Sequence, residues 1–206
     1  MATNNPRGLV PSRHLNGNIS PSHNQYRVSA NNPTAMFIGD PVVLFSDGKV
    51  RVIATSTPSI SEQGVLGVVR SVYDSNGRPL THKMPAQGQF IDGSTAGYVD
   101  VCDDPDTIFL VSTDGTANQS MIGKFVTVTA GAPTSAVGIS GIHMKLAEAT
   151  GSATDHRFMI TAVGGNESAT GGIGDGAFSN NQDIEVIISN HHWRRQWAVV
   201  GTEVGD

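Results

Sequence analysis

Cysteine is almost missing: Cys102 is the only one in 206 residues, so neither an intrachain disulfide nor a multi-cysteine metal site can form. Long apolar runs are missing too. The longest are a few residues, far short of the ~20 that cross a bilayer as a helix, and the opening "MATNNPRGLVPSRH" holds no apolar signal-peptide core. A soluble, unsecreted chain made in a reducing compartment is the expectation. Charge is scarce at 15%, and acidic side chains are absent before Asp40. Residues 1–39 carry only Arg7, Arg13 and Arg27, a charge of +3, while the remaining ten Lys and Arg against eighteen Asp and Glu give −8. Two differently charged regions therefore share one chain.

The residues that are abundant point to β-structure. Twenty-four glycines, many β-branched residues and 38% apolar content are a helix-poor balance, and the length suffices to bury a core without cross-links. Residues 1–35 hold four of the ten prolines and show no regular period. They read as an extended N-terminal arm, with Leu9, Val10, Leu15, Ile19, Tyr26 and Val28 spaced to seat in shallow pockets. Fully extended, such an arm spans about 115 Å at ~3.3 Å per residue, enough to reach a neighbouring subunit. Cutting it off is expected to leave a folded body with weakened partner binding.

Residues 36–206 read as the β-rich body. "MFIGDPVVLFSDGKVRVIAT" is a hairpin turning at "SDGK", and "GVLGVVRSVYDSNGRPLTH" repeats the design with a turn at "DSNG". "GYVDVCDD" and "TIFLVSTDG" follow as strands, the first with Val99 and Val101 opposite Tyr98, Asp100 and Cys102. "GKFVTVTAG" sets Val126 and Val128 against Phe125, Thr127 and Thr129. "GISGIHMKLAEAT" is expected to supply at most one short helix. "HRFMITAV" and "DIEVIIS" bracket a Gly-rich loop, residues 164–182. Seven or eight short strands with frequent turns predict an all-β, mainly antiparallel sandwich or partly open barrel.

Chemistry is sparse. "DDPD" offers the Asp103, Asp104 and Asp106 carboxylates, but it lacks a calcium-loop framework, and Asp-Pro pairs commonly form turns. "GGIGDG" lacks the Lys and hydroxyl residue of a phosphate loop. Neither a G-x-S-x-G elbow nor an H-E-x-x-H pair occurs, so no catalytic, cofactor or metal residue is assigned and an enzyme is not expected. Cys102, inside an apolar strand, is expected to pack as a small hydrophobe. "SNHHWRRQW" remains: as a strand it would split His191 from His192 and align His191, Trp193, Arg195 and Trp197 on one face. Trp and Arg are typical of protein-contact hot spots, so Trp193, Arg194, Arg195 and Trp197 are candidates for subunit contact. The acidic body opposes direct nucleic-acid binding.

The order "GDPVVLFSDGKVRVIAT", "VLGVVRSVYDSNGRPLTH", "GYVDVCDDPDTIFLVSTDG", "GISGIHMKLAEAT", "VIISNHHW" resembles a family of structural proteins encoded beside the major capsid protein in short-tailed bacteriophages, which look like capsid cement or decoration proteins. The likeness runs over residues 36–192, and Ser189 stands where the family tends to have Asn. It implies a non-enzymatic virion protein, on the capsid exterior, that binds the major capsid protein across subunit junctions, self-associates as a dimer or trimer, and needs no cofactor or membrane. Arg7, Leu9, Val10, Arg13, Leu15, Ile19, Tyr26 and Arg27 of the arm would then be partner contacts. An alternative is a virion-displayed receptor- or glycan-binding module using the loop 164–182.

Overall fold

A computed structural model describes residues 7–17, 22–28, 30, 34–53, 64–80, 90–91, 95–135, 137–151, 157–163 and 183–194. These form eleven strands: β1 (Val10–His14), β2 (Asn24–Val28), β3 (Pro41–Leu44), β4 (Lys49–Val52), β5 (Val65–Asp74), β6 (Gly97–Cys102), β7 (Thr107–Ser112), β8 (Phe125–Thr129), β9 (His143–Thr150), β10 (Phe158–Val163) and β11 (Asp183–Ile188). The all-β expectation holds, in the form of two sheets. Strands β2-β4-β3-β5-β6 close into a barrel, and β1-β7-β11-β10-β8-β9 form a six-stranded sheet. Among these described strands, β2 against β4 is the one parallel pairing and the others are antiparallel. Among the described residues no helix is long and apolar enough to cross a membrane.

The local reasons lie largely in the turns. Between β3 and β4, Gly48 takes φ 72° and the Asp47 carboxylate accepts the Lys49 N–H at 3.1 Å. After β5, Gly77 takes φ 77° and the Asp74 carboxylate accepts the N–H groups of Asn76 and Arg78, each at 2.8 Å. Both are side-chain-closed turns of the kind Asp-Gly and Asn-Gly sequences favour. Strand alternation then separates two cores. In β6, Val99 and Val101 point into the barrel with Val28, Val42, Val50, Leu66 and Val72. Cys102 joins Val43, Ile53 and Val65 on the barrel's outer face, packed on Phe109, Val126, Phe158 and Ile184 of the six-stranded sheet. Cys102 is therefore a packed hydrophobe, and burial pushes its thiol pKa up.

Two expectations are corrected. The segment expected to be helical forms β9 instead, where Met144 and Leu146 are buried and His143 and Lys145 face outward. Pairing with β8 and this period of two outweigh the helix propensity of Lys-Leu-Ala-Glu-Ala. The arm is not a detachable appendage over its described part. β1 pairs along β7, and β2 lies between β4 and β6 and closes the barrel. Leu9 is 1% exposed and belongs to the core shared by both sheets. An apolar side chain every few residues, irregular in spacing because of the prolines, suits strands that change sheet within fifteen residues.

The arm enters through a tight joint. A Cβ on Gly8 would lie 2.6 Å from the Gly39 carbonyl oxygen and 2.7 Å from the Ser140 Cβ, and Gly8 sits at φ 67°. Beside this crossing, Asp40 is buried; its carboxylate accepts the Phe37 N–H at 2.8 Å and a hydrogen bond from Ser140, whose Oγ accepts the Ile142 N–H at 3.0 Å. Desolvation nonetheless dominates and raises the Asp40 pKa from 3.8 to about 6.

Deleting residues 1–35 is therefore expected to abolish the cooperative thermal transition, because it opens the barrel and strips Leu9 from the core; loss of Leu9 alone costs about 3 kcal/mol. Calorimetry on the truncated chain measures this, and an intact transition would refute the structural role of β1 and β2. Asp40 gives a second expectation. The native chain holds this proton more tightly than the unfolded chain, so the Asp40 contribution falls by ~3 kcal/mol as pH rises from about 4 to about 6. Asp40→Asn removes the titrating charge while its amide oxygen keeps an acceptor for the Phe37 N–H and the Ser140 hydroxyl, and should stabilise the protein above pH 6 while leaving it less favoured by acid. Urea denaturation at pH 4.5 and 7.5 measures both.

Candidate functional site

Three stretches far apart in sequence converge where β6 turns into β7. The turn "DDPD" is closed by the Asp104 carboxylate, which accepts the Asp106 N–H at 2.9 Å. Each of its carboxylates meets a side chain from elsewhere. Asp103 is buried and accepts from the Asn24 amide at 2.9 and 3.1 Å and from the Tyr26 hydroxyl at 2.6 Å, both from β2. Burial, then this hydrogen bond, pushes the Tyr26 phenol pKa well up. Asp104 lies 3.2 Å from Nε2 of His14 on β1, and Asp106 lies 2.5 Å from the Arg194 guanidinium. The Leu15 N–H also donates to the Asp106 carbonyl at 2.9 Å.

The histidine-tryptophan stretch does not continue the strand. β11 ends at Ile188, His191 makes one isolated bridge to Val65, and His192–Arg194 is a single 3-10 turn. The chain is diverted by Val65, whose N–H donates to the Asn190 carbonyl at 2.8 Å, and by Gly64, where a Cβ would sit 2.9 Å from that oxygen. His191 and Trp193 consequently do not share a face: His191 is 1% exposed and Trp193 is 55% exposed. The Trp193 N–H donates to His191 Nδ1 at 3.1 Å, so the ring's proton sits on Nε2, where it finds no acceptor among the described residues. Burial, reinforced by the charges of His192 and Arg194 against the opposing Asp103 and Asp104, lowers the His191 pKa to about 4.

His14 Nε2 and oxygens of Asp104 and Asp106 lie within 4.8 Å of one another, a spacing open to a cation. The site's own geometry disfavours it. His14 Nδ1 accepts the Asn16 N–H at 3.3 Å, which leaves Nε2 protonated toward Asp104 and without a lone pair for a metal. Arg194 already supplies the positive charge at Asp106.

Several of the other expected contact residues are used within the chain. Arg7 pairs with Asp183 at 2.5 Å, and Arg13 reaches both carboxylate oxygens of Glu185, its hydrogen bond there raising the arginine pKa. These intrachain pairs engage the guanidinium groups that were expected to meet a partner's acids. Val10 lies in β1, Tyr26 binds Asp103, and Arg27 lies over the Tyr98 ring. Leu15 stays 52% exposed. Ile19, Arg195, Trp197 and the loop 164–182 fall outside the described residues. The residues that sequence reasoning missed, His14, Asn24 and the buried role of His191, carry no local signal, since each acquires its partner from a distant segment. Comparison of the chain with protein-family models, with curated proteins and with solved structures finds no match.

For His191 the unfolded chain holds the proton more tightly, so its contribution to stability is full above pH 6.5 and is lost as pH falls toward about 4. This runs opposite to Asp40 over the same range. His191→Asn, whose Oδ1 can accept the Trp193 N–H, should therefore leave a protein that gains stability on acidification from pH 6.5 to 4.5. Denaturation midpoints across that range measure it; an unchanged pH profile would mean that His191 titrates normally.

Proposed function

We propose that the protein is a non-enzymatic virion structural protein that binds the outside of an assembled icosahedral phage capsid and braces neighbouring major capsid protein subunits against internal DNA pressure. The resemblance of five ordered segments to capsid cement proteins supports this reading. The observation that carries it furthest is the corner around Asp106. Two large exposed apolar side chains, Leu15 and Trp193, flank one salt-bridged point: Leu15 through its N–H on the Asp106 carbonyl, Trp193 through the adjacent Arg194 on the Asp106 carboxylate.

Such a corner suits docking on a rigid shell. Its backbone is held from β1, from the β6–β7 turn and from the chain after β11, so little conformational freedom is lost on binding. Tryptophan and arginine are among the residue types most enriched in interface hot spots. A body of two sheets packed through one core transmits load between its contact points without unfolding locally. Several such contacts on one rigid body, or on a dimer or trimer, resist detachment because all must be lost together.

Co-sedimentation of the full chain with heads of the virus that encodes it tests the proposal. The chain should pellet with heads, and Trp193→Ala should bind roughly tenfold or more weakly with an unchanged thermal midpoint, because that ring is exposed in the free protein. Leu15→Ser should weaken binding in the same direction. A chain that stays in the supernatant, or variants that bind as well as the parent, would overturn it.

A further inference from the structure

Across the outer surface of the closed barrel, strand register sets four side chains side by side. Lys49 of β4 is opposite Arg27 of β2, Arg27 is opposite Tyr98 of β6, and Tyr98 is opposite Tyr73 of β5. The first pair is unusual, because like charges directly opposite on neighbouring strands repel and destabilise the sheet. The other two arginines of the N-terminal segment are neutralised by Asp183 and Glu185. Arg27 has only Tyr98 among the described residues: its guanidinium lies 5.6 Å from the ring centroid and donates to the phenol oxygen at 3.2 Å. Lys49 has a loose contact with Asp47 at 3.8 Å, which exposure makes weak.

The weakly compensated pair lines an open concavity. A pocket of about 500 Å³ is lined by Arg27, Lys49 and Tyr98, with Ser75 from the β5 turn and the small residues Ala96 and Gly97. No acidic residue is among its described lining residues. Gly97 is required there by packing, since a Cβ would lie 2.4 Å from the Tyr73 carbonyl oxygen. The volume is that of a small-molecule site and exceeds the need of a single inorganic ion.

We infer that this pocket binds an acidic sugar unit, a pyranose bearing a carboxylate, through Arg27, Lys49 and Tyr98. The guanidinium matches a carboxylate in planar, paired hydrogen bonds, and the ammonium adds a point charge beside it. The tyrosine supplies an aromatic edge for the sugar ring and a hydroxyl for its polar groups, and Ser75 supplies a second hydroxyl. Bound anion relieves the Lys49–Arg27 repulsion, which favours binding. The site lies on the barrel and draws on none of the corner residues around Asp106.

Calorimetric titration of the full chain with D-glucuronate and with N-acetylneuraminate, against glucose and inorganic phosphate, tests the inference. Saturable binding of an acidic sugar, with none of glucose, is expected at low salt. It should weaken roughly tenfold in Arg27→Gln and in Lys49→Gln, both substitutions of side chains on the barrel's outer surface, and remain unchanged in Lys124→Gln. Equal binding of phosphate would reduce the site to a general anion site and overturn the sugar assignment. Absence of acidic-sugar binding, or binding indifferent to Arg27 and Lys49, would overturn the site itself.

Discussion

The fold depends on barrel closure by β2. Without this strand the remaining four, β4-β3-β5-β6, would leave the facing edges of β4 and β6 unpaired, and an unpaired buried backbone group costs as much as a lost hydrogen bond. β2 supplies both edges at once, parallel to β4 and antiparallel to β6. Its insertion brings Asn24 and Tyr26 to Asp103 and Arg27 between Lys49 and Tyr98. One short strand thus positions elements of both the proposed docking corner and the proposed pocket.

β1 plays the complementary part in the six-stranded sheet. The chain enters the core at Leu9 through the Gly8–Gly39–Ser140 crossing, pairs on β7, and only then passes to the barrel. The first and last described segments are joined by Arg7–Asp183 and Arg13–Glu185. These are partly exposed pairs and add little stability each, beside a sheet whose core is already apolar. Rigidity at the Asp106 corner follows from strands crossing between sheets, with the ion pairs as trimming.

Two buried titratable groups bear on the same question from opposite sides. Asp40 at the glycine crossing is favoured by acid, and His191 beneath the Trp193 turn is favoured by base. Both shifts arise from desolvation, and their opposite charge types make them offset each other between about pH 4 and 6.

Much of the body was legible because its signals are local. "SDGK" and "DSNG" close turns with their own Asp side chains and glycines, and the alternation around Val99 and Val101 or Val126 and Val128 names the buried face before any partner strand is known. By itself, then, the sequence determined an all-β chain, its hairpins, and which residues must be hidden. Tertiary structure decided the rest: that β1 and β2 belong to different sheets, that Lys-Leu-Ala-Glu-Ala is a strand, that His191 is hidden while Trp193 two residues on is exposed, and that Arg27 faces Lys49. The reason is physical. Turn closure and alternation are set by neighbours a few residues apart, whereas strand partners, desolvation and charge pairing are set by groups many residues away, and no local pattern encodes which of these will meet.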